Sequence, residues 1–345
     1  MSALSTIKFK NPRAQHNFQG RTCSITGVGS YVPAKILTNA DLEKIVDTSD
    51  EWITTRTGIK ERRVAAKDEF TSDMAVKAAQ RAMKMAGATA EQIELIVVAT
   101  ITPDMPFPAT ACLVQQKIGA RRAAAFDLEA ACSGFIYGLE IGQQFITSRT
   151  YDTVLIIGAE KLSSIVDYAD RNTCVLFGDG AGAAILQNRP NAHGLLTAVM
   201  GADGSKGNLI HMPGGGSRRP ATVDTVAAKL HYLQMDGRET FKNAVQAMCT
   251  AAKEALRRCE LDIAKIKCVI PHQANQRIID AVGKRLGVAP EQMFINLDRY
   301  GNTSAAAVAI ALDEAVASGK IQRGDLVLLI VFGAGLTWGA AVIEW

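Results

Sequence analysis

Short apolar runs alternate with amphipathic helical patterns from Cys23 to the end of the chain. An alternation of this kind is typical of α/β proteins, in which helices cover a mainly parallel sheet. The same succession occurs twice: a helical pattern over residues 74–86 leads into the apolar run 93–98, and one over 245–258 leads into the run 266–271. The two runs keep a separation of 173 positions at both ends, which indicates an internal repeat.

The repeat continues through the rest of both halves. Predicted strand–helix pairs are followed in each half by an apolar run that opens a glycine-rich hairpin: 123–128, 134–147 and 153–158, then 294–297, 304–317 and 326–331. Two copies of one βαβ-rich unit predict a duplicated α/β fold with pseudo-twofold symmetry. A site is expected where the two copies meet, because strand ends and helix starts converge there.

This repeat divides the chain into an N-terminal half over residues 21–190 and a C-terminal half over 191–345. Residues 1–20 lie outside both halves and contain Lys8, Lys10 and Arg13 but no acidic residue. We expect a disordered arm, with a transit peptide as the alternative. A secretory signal is excluded because the segment has no apolar core.

The composition of the chain excludes several classes of protein. With 48% hydrophobic and 21% charged residues, it is globular rather than disordered. A dispersed net charge of +4 and 6% aromatic residues argue against a nucleic-acid binder. The sequence contains no apolar stretch of about 18 residues, so no membrane span is predicted. Seven cysteines without a C-x-x-C pair favour reduced thiols in the cytoplasm, and five histidines without an i, i+4 pair predict no metal site.

A Gly-x-Gly-x-Gly segment at residues 178–182 has the glycine spacing of a dinucleotide-binding loop. That fingerprint needs a helix after the glycines, whereas residues 183–186 continue as an apolar strand. We therefore expect the glycines to permit a tight turn and close backbone packing.

Cys132 is the candidate nucleophile. It lies in Glu-Ala-Ala-Cys-Ser-Gly-Phe, residues 129–135, between a predicted strand and a predicted helix. Small neighbours on both sides suit a sharp strand-to-helix elbow. A thiol at a helix N-terminus is biased toward the thiolate by the partial positive charge of the free N–H groups. The alternative is a buried structural cysteine.

His272 and Asn302 are expected on the same side of the duplicated sheet as Cys132. His272 ends an apolar run and is followed by Gln273 and Asn275, whereas Asn302 precedes an alanine-rich helical pattern. Their structural alternatives are a satisfied core histidine and a helix N-cap. Each residue alone is a weak signal, but all three lie at predicted strand ends or helix starts on one side of the sheet.

Six segments together resemble the β-ketoacyl-acyl-carrier-protein synthase III family. They are DTSDEWI at 47–53, RTGI at 56–59, ACSGF at 131–135, FGDGAG at 177–182, PHQAN at 271–275 and GNTSA at 301–305. The resemblance runs in order from Cys23 to Trp345. It implies a thiolase-like, five-layered α-β-α-β-α fold, a homodimer and the first condensation of bacterial-type fatty acid synthesis in the cytoplasm.

The resemblance also implies a mechanism. Cys132 would attack a short acyl-CoA, with acetyl-CoA as the expected substrate, and hold the acyl group as a thioester. His272 Nε2 and Asn302 Nδ2 would then stabilise the enolate formed when malonyl-acyl-carrier protein loses CO₂. The backbone N–H groups of Cys132 and Ala334 would form the other oxyanion hole. Ala334 stands where the family usually has glycine, and because the donor is main-chain the change should be tolerated if Ala334 avoids positive φ. No cofactor is implied, because the CoA thioester is itself a substrate.

Binding residues are likewise implied by the family. Trp52 and Arg171 resemble the pair that sandwiches the CoA adenine, Arg56 would meet the CoA phosphates, and Asn275 would help position the pantetheine arm. Phe332 is expected in the substrate site. Phe107 matches a residue at the floor of the acyl pocket that is contributed across the dimer, where a bulky ring favours short acyl groups.

A basic stripe is expected to face the carrier protein. Arg277, Lys284 and Arg285 share one helix face, and Lys242 is expected to join them. The structural alternative is an ordinary solvated face. Because the implied carrier protein is acidic, long-range attraction would give the stripe a function.

Two other functions share parts of this pattern. Related condensing enzymes that use aromatic or longer acyl-CoA in secondary metabolism have the same Cys-His-Asn set and form the main alternative. A cysteine hydrolase would instead need the histidine as a base oriented by an Asn or Asp, whereas Asn302 is expected to face the substrate. The presence of Cys132 argues against a non-catalytic partner subunit.

Overall fold

Two β-sheets organise the chain in the computed structural model, which describes residues 22–189 and 194–345. The arm predicted at residues 1–20 lies outside the described residues. The strands are β1 Cys23–Tyr31, β2 Lys35–Thr38, β3 Glu61–Val64, β4 Leu95–Ala99, β5 Ala124–Leu128, β6 Thr153–Glu160, β7 Gly180–Asn188, β8 Leu195–Ala202, β9 Ile210–His211, β10 Gln234–Met235, β11 Cys268–Pro271, β12 Leu326–Gly333 and β13 Thr337–Glu344. The helices are α1 Asn39–Leu42, α2 Asp50–Thr57, α3 Thr71–Ala86, α4 Thr110–Ile118, α5 Gly134–Thr147, α6 Arg171–Cys174, α7 Val223–Ala227, α8 Gly237–Arg258, α9 Gln276–Leu286, α10 Leu297–Tyr300 and α11 Ala306–Ala317.

The two main sheets repeat one topology. The first has the order β1-β7-β6-β4-β5, and the second, read in the same sense, has the order β8-β13-β12-β11. In each, a parallel pair (β4 with β6, β11 with β12) is continued by two antiparallel pairs. The first residues of β4 and β11, Leu95 and Cys268, are also 173 positions apart. The predicted duplication is confirmed.

The apolar faces of the sheets produce five layers. Alternate residues of β4, such as Ile96 and Val97, face opposite ways, and both are fully buried. Helices α3 and α4 cover the outer face of the first sheet, and α8 and α9 cover the outer face of the second. Helices α5 and α11 lie between the sheets. The predicted α-β-α-β-α order is therefore confirmed.

The central position of α11 explains its composition. A helix that is apolar on all sides must be enclosed, and the residues of α11 from Ala306 to Leu312 are all buried. It packs closely on the first sheet because glycines face it. A Cβ at Gly182 would lie 2.5 Å from Ala309 Cβ, and one at Gly158 would lie 2.3 Å from Ala305 O. The glycine segment thus serves close packing, and strand β7 begins within it at Gly180 and continues through residues 183–186, as expected.

Two predicted elements need correction. The strand predicted at 294–297 is wrong: only Met293 forms a parallel bridge, with Val269, before α10 begins. The Gln273 side chain takes the adjacent backbone groups, accepting from Asn296 N–H at 2.9 Å and donating to Phe294 O at 3.3 Å. A side chain therefore occupies bonds that a strand ladder would use.

The second correction concerns the glycine-rich hairpin of the first half. Strands β6 and β7 pair antiparallel, but residues 161–179 separate them and include the short helix α6. In the second half, by contrast, a short turn joins β12 and β13. Within the described ranges, no helix combines the length and the apolar character needed to cross a membrane.

Candidate active site

Cys132 lies at a sharp elbow between β5 and α5. A short 3₁₀ turn, Ala131–Ser133, leads into α5, and Ala131 has a φ of 45°, a left-handed conformation that is uncommon for alanine. Small residues allow this approach: a Cβ at Gly134 would come within 2.7 Å of Ala99 Cβ. The Cys132 N–H is in the first turn before α5, where backbone N–H groups lack intrahelical acceptors.

The surroundings of the Cys132 thiol oppose its ionisation. Burial raises the pKa of Cys132 to about 12, and the negative charge of Glu160 acts in the same direction, whereas a hydrogen bond with Ser304 lowers the pKa. The predicted bias of the helix N-terminus toward thiolate is therefore countered by burial. The thiol needs an acceptor for its proton when the sulfur attacks.

His272 follows β11 and faces the same cavity. Its backbone N–H donates to Ile330 O at 2.7 Å, which holds the residue beside β12. The residue is 5% exposed, and neither Nδ1 nor Nε2 has a hydrogen-bond partner among the residues that the structure describes. Burial lowers the pKa of His272 to about 4, so the imidazole is neutral at physiological pH. A neutral ring can donate one hydrogen bond to a substrate oxygen.

Asn302 is oriented by its own neighbour. Its Oδ1 accepts from the Ser304 N–H at 2.8 Å, which leaves the Nδ2 amide group for the cavity side. Its backbone N–H donates to Leu176 O at 2.8 Å. The residue is not the helix N-cap considered from the sequence, since Ala305 occupies that position of α11.

Cys132, His272 and Asn302 line one cavity of about 150 Å³. Its other walls are mainly apolar, as is usual where a few polar groups are to act on a small ligand. Ala334, Phe332 and Ser304 also line it. The structure thus brings the three predicted catalytic side chains together, from both halves of the chain.

The turn between β12 and β13 approaches Cys132 through Gly333. A Cβ on Gly333 would lie 2.7 Å from the Cys132 N and 3.2 Å from its Cβ, so only glycine fits there. Ala334 follows directly and is absent from the residues with positive φ in the described chain. The condition that Ala334 avoids positive φ is therefore met. Cys132 and Ala334 both line the cavity.

A second cavity, of about 530 Å³, adjoins the first. The two share the lining residues Leu176, Met235, Gly237, Phe241 and Asn275. Trp52, Arg56 and Arg277 line only the second cavity. An elongated ligand could therefore reach from these residues toward Cys132.

The predicted adenine pair is closed in this structure. The Arg171 guanidinium carbon lies 5.1 Å from the centroid of the Trp52 ring, and that of Arg56 lies 4.6 Å from it. Arg171 is also held by the Asp47 backbone oxygen at 2.9 Å. A flat base can enter between Trp52 and Arg171 only if the Arg171 side chain moves off the ring.

Asn275 is the N-cap of α9, a role the sequence analysis did not give it. Its Oδ1 accepts from the Arg277 N–H at 2.9 Å, and its Nδ2 donates to Arg56 O at 3.1 Å. The side chain therefore ties the end of α2 to the start of α9. A contact with pantetheine would have to share one of these hydrogen bonds.

The other predicted residues lie at the surface or in the wall. The four basic residues predicted to face the carrier protein are exposed: Arg277, Lys284 and Arg285 on α9 and Lys242 on α8. Arg285 Nη2 donates to Gln246 Oε1 at 2.6 Å between the two helices.

Phe332 is 5% exposed and lines the cavity, as expected. Phe107 is 84% exposed and lies outside the cavity of its own chain.

Sequence reasoning missed Glu160 and gave Ser304 no role. Glu160 ends β6 and is fully buried, and Ser304 Oγ donates to its carboxyl at 2.9 Å. The sequence did contain a signal: Glu160 is an acid placed directly after the apolar run 154–159. Acidic residues are rarely buried without a partner.

Comparison with known proteins agrees with this architecture. The family model of 3-oxoacyl-[acyl-carrier-protein] synthase III matches residues 126–204, and the model of the C-terminal part of that family matches residues 256–345. The β-ketoacyl-[acyl-carrier-protein] synthase III of Caldanaerobacter subterraneus subsp. tengcongensis is 57% identical over 93% of this chain and 97% of its own length. That of Symbiobacterium thermophilum is 55% identical over 94% and 98%.

A solved structure shows the same fold. The crystal structure of 3-oxoacyl-[acyl-carrier-protein] synthase III from Aquifex aeolicus superposes with a TM-score of 0.88 at 49% identity and covers 94% of this chain and all of that one. Fold and relatives together define a thiolase-like condensing enzyme of the acyltransferase type. The chain belongs to the β-ketoacyl-[acyl-carrier-protein] synthase III family.

Proposed function

We propose that this protein joins a short acyl-CoA, most simply acetyl-CoA, to malonyl-acyl-carrier protein with loss of CO₂, and so initiates fatty acid synthesis. Relatives with 55–57% identity over nearly the whole chain support this reaction. The observation that carries the residue roles is the shared cavity, in which a thiol faces a neutral, unpartnered imidazole and an oriented amide.

Cys132 is the proposed nucleophile of the first half-reaction. Its sulfur attacks the acyl-CoA carbonyl, CoA leaves, and the acyl group stays on the sulfur. The N–H groups of Cys132 and Ala334 would stabilise the oxyanion, and one such donor contributes about 3–4 kcal/mol. The close approach at Gly333 supports this pairing. No cofactor is needed, because the thioester already activates the acyl group.

His272 and Asn302 are the proposed donors of the second half-reaction. The malonyl thioester oxygen would accept from His272 Nε2 and Asn302 Nδ2 while the C–CO₂ bond breaks. The resulting carbanion attacks the acyl-Cys132 carbonyl and yields the β-ketoacyl product. A neutral imidazole suits this role, because a donor is required and a base is not.

CoA is proposed to occupy the second cavity, with its adenine near Trp52 and Arg171 and its phosphates near Arg56. Asn275 would border the pantetheine arm, and Phe332 would contact the acyl end. The continuity of the two cavities through Asn275 and Phe241 supports this path. Nearby, the exposed cations Lys242, Arg277, Lys284 and Arg285 form the proposed carrier-protein surface.

A homodimer is proposed in which Phe107 closes the acyl pocket of the partner. Its 84% exposure in the single chain leaves the ring free for such a contact. A sedimentation mass equal to one 36.9-kDa chain would contradict the dimer. We place the enzyme in the cytoplasm, since its seven cysteines are all free.

Acyl loading provides the test of this function. Wild type and Cys132→Ala are incubated with a panel of acyl-CoAs and weighed intact. We expect mass labelling of the wild type by short acyl-CoAs and none of the variant. Free acid released without a new carbon–carbon bond would instead indicate a hydrolase, and preferential loading of aromatic or long chains would indicate the condensing enzymes of secondary metabolism.

A further inference from the structure

Glu160 is a buried carboxyl that the mechanism above leaves without a task. It ends β6, has no exposed surface and, within the described part of the chain, receives hydrogen bonds from uncharged groups only. Thr102 Oγ1 donates to it at 2.6 Å, Ile101 N–H at 3.1 Å, Thr100 Oγ1 at 3.2 Å and Ser304 Oγ at 2.9 Å. A buried ionised acid without a cationic partner is costly, which is why such groups are often found at functional sites.

Ser304 connects this carboxyl to the cavity. Its hydroxyl donates to Glu160, and the residue lines the cavity together with Cys132, whose pKa the Ser304 side chain lowers. Ser304 has a φ of 49°, in the left-handed region that non-glycine residues rarely adopt. The bond from its N–H to Asn302 Oδ1 at 2.8 Å holds it there. Strained residues of this kind cluster at functional sites.

We propose that the Glu160 carboxylate receives the Cys132 thiol proton through the Ser304 hydroxyl as the sulfur is acylated, and returns it when the sulfur becomes the leaving group. This relay rests on the proposed role of Cys132 as the acylated nucleophile. Glu160 acts through Ser304 and does not touch the substrate. The negative charges of a Glu160 carboxylate and a Cys132 thiolate disfavour each other, so one proton shared between them is the stable arrangement.

The proton balance closes over one catalytic cycle. In loading, the S–C bond to the acyl group forms and the C–S bond to CoA breaks; the thiol proton moves to Ser304 Oγ, and the former hydroxyl proton moves to Glu160. CoA leaves as a thiolate and takes a proton from solvent. In condensation, the carbon–carbon bond forms and the acyl–sulfur bond breaks, and Glu160 restores the proton to Cys132 through Ser304. The net reaction consumes the one solvent proton found on CoA.

The surrounding charges leave Glu160 suited to this exchange. Burial raises its pKa to about 7, which lies near ambient pH, where general bases work best. His272 across the cavity, with a pKa of about 4, is the weaker base. The next residue, Lys161, points away and donates to Ala66 O at 2.8 Å. Asp179 is engaged elsewhere, accepting from Ser163 Oγ at 2.6 Å.

The pH dependence of acyl loading tests the relay. Single-turnover loading by acetyl-CoA is followed by intact mass between about pH 5.5 and 8.5 in wild type, Glu160→Gln and Ser304→Ala. We expect the wild-type rate to rise through an apparent pKa of about 7. Both variants should lose this step and load about 10²-fold to 10⁴-fold more slowly, as expected for loss of a general base.

Asp179→Asn is the matched control, because Asp179 is also a fully buried carboxyl with hydroxyl and N–H donors, but its donors are Ala65 and Ser163 rather than Ser304. It should keep the pH step even if it lowers stability. A step retained in Ser304→Ala overturns the relay, whether or not Glu160→Gln folds. If the wild type does not load at all, the proposed function fails and the relay fails with it.

Discussion

Two buried titratable residues affect folding stability in opposite directions: His272, which lines the cavity, and Glu160, which is hydrogen-bonded to Ser304. His272 has a folded pKa of about 4 against 6.5 when unfolded, so the unfolded chain binds the extra proton and stability rises as pH rises from 4 to 6.5. Glu160 has a folded pKa of about 7 against 4.5 when unfolded, so the native chain binds the extra proton and stability falls as pH rises from 4.5 to 7. Over their shared range the two effects oppose each other, at about 3 kcal/mol each.

Replacing either residue should make the pH effect of the other one measurable. Relative to wild type, we expect His272→Gln to lose about 3 kcal/mol of its free energy of unfolding as pH rises from about 4.5 to 6.5, and Glu160→Gln to gain a similar amount. Urea unfolding of the three proteins at both pH values measures this. Three parallel dependences on pH would show that the two groups are not buried as described.

The chemistry-bearing residues could be predicted from the sequence because they lie in short, characteristic segments. Cys132, His272 and Asn302 were found in this way, and the structure brings them to one cavity. Their supporting contacts could not be found. The bond from Ser304 to Glu160 joins residues 144 positions apart, and nothing local in either segment indicates that pairing.

At the scale of secondary structure elements, the β12–β13 turn positions one half of the site against the other. Gly333 lets this turn approach the Cys132 backbone, since a Cβ there would lie 2.7 Å from Cys132 N. We expect Gly333→Ala to push the turn away and to slow acyl loading at least about 10-fold, because a misplaced oxyanion donor costs several kcal/mol. Loading kinetics by intact mass would measure the effect.

Gly204→Ala is the control for this variant. A Cβ at Gly204 would meet no heavy atom within 4 Å, and the residue lies outside the cavity, so loading should stay within about twofold of wild type. Equal losses in the two variants would mean that the Gly333 effect comes from general destabilisation rather than from the approach to Cys132.

The hydrophobic pattern predicted the bounds of helices and strands well where backbone-to-backbone hydrogen bonds form the element. The predicted helix 134–147 has the same bounds as α5, and the predicted strand 123–128 differs from β5 by one residue. The pattern failed at 294–297, where Gln273 replaces a strand partner. It also missed the first eight residues of α8, which are largely polar and begin after the Asp236 N-cap. Where a side chain takes the place of a backbone group in a hydrogen bond, the sequence shows no hydrophobic periodicity that would reveal it.

At the scale of the whole molecule, the duplication was predictable because it recurs as a fixed offset, whereas the surfaces used by partners were not. The division near residue 190 stays a prediction, although one main sheet uses strands up to Asn188 and the other uses strands from Leu195 onward. The four basic residues of the proposed carrier-protein surface also differ in position. Arg277 lines the second cavity with Trp52, so charge reversal there would disturb the proposed CoA path as well.

A Lys284 variant can test the proposed carrier-protein surface without disturbing the proposed CoA path, because Lys284 lines neither cavity. It is exposed in the last turn of α9, and the backbone N–H of the following Gly287 cap donates to its carbonyl. Lys84 is its counterpart on the opposite outer layer, exposed in the last turn of α3 with Gly87 as its cap. Both replacements by Glu therefore place the same unfavourable charge at a helix C-terminus, at a cost of about 0.3–1 kcal/mol.

Of the two variants, only Lys284→Glu should weaken the binding of malonyl-acyl-carrier protein. We expect Lys284→Glu to raise the KM for malonyl-acyl-carrier protein about 3-fold to 10-fold at low salt and Lys84→Glu to leave it unchanged, because a charge at the proposed surface repels an acidic partner. The difference should shrink at high ionic strength, where charges farther apart than the Debye length are screened. Steady-state kinetics at two salt concentrations measure both effects. Equal KM values for the two variants, or an increase that persists at high salt, would place the carrier-protein surface elsewhere on the molecule.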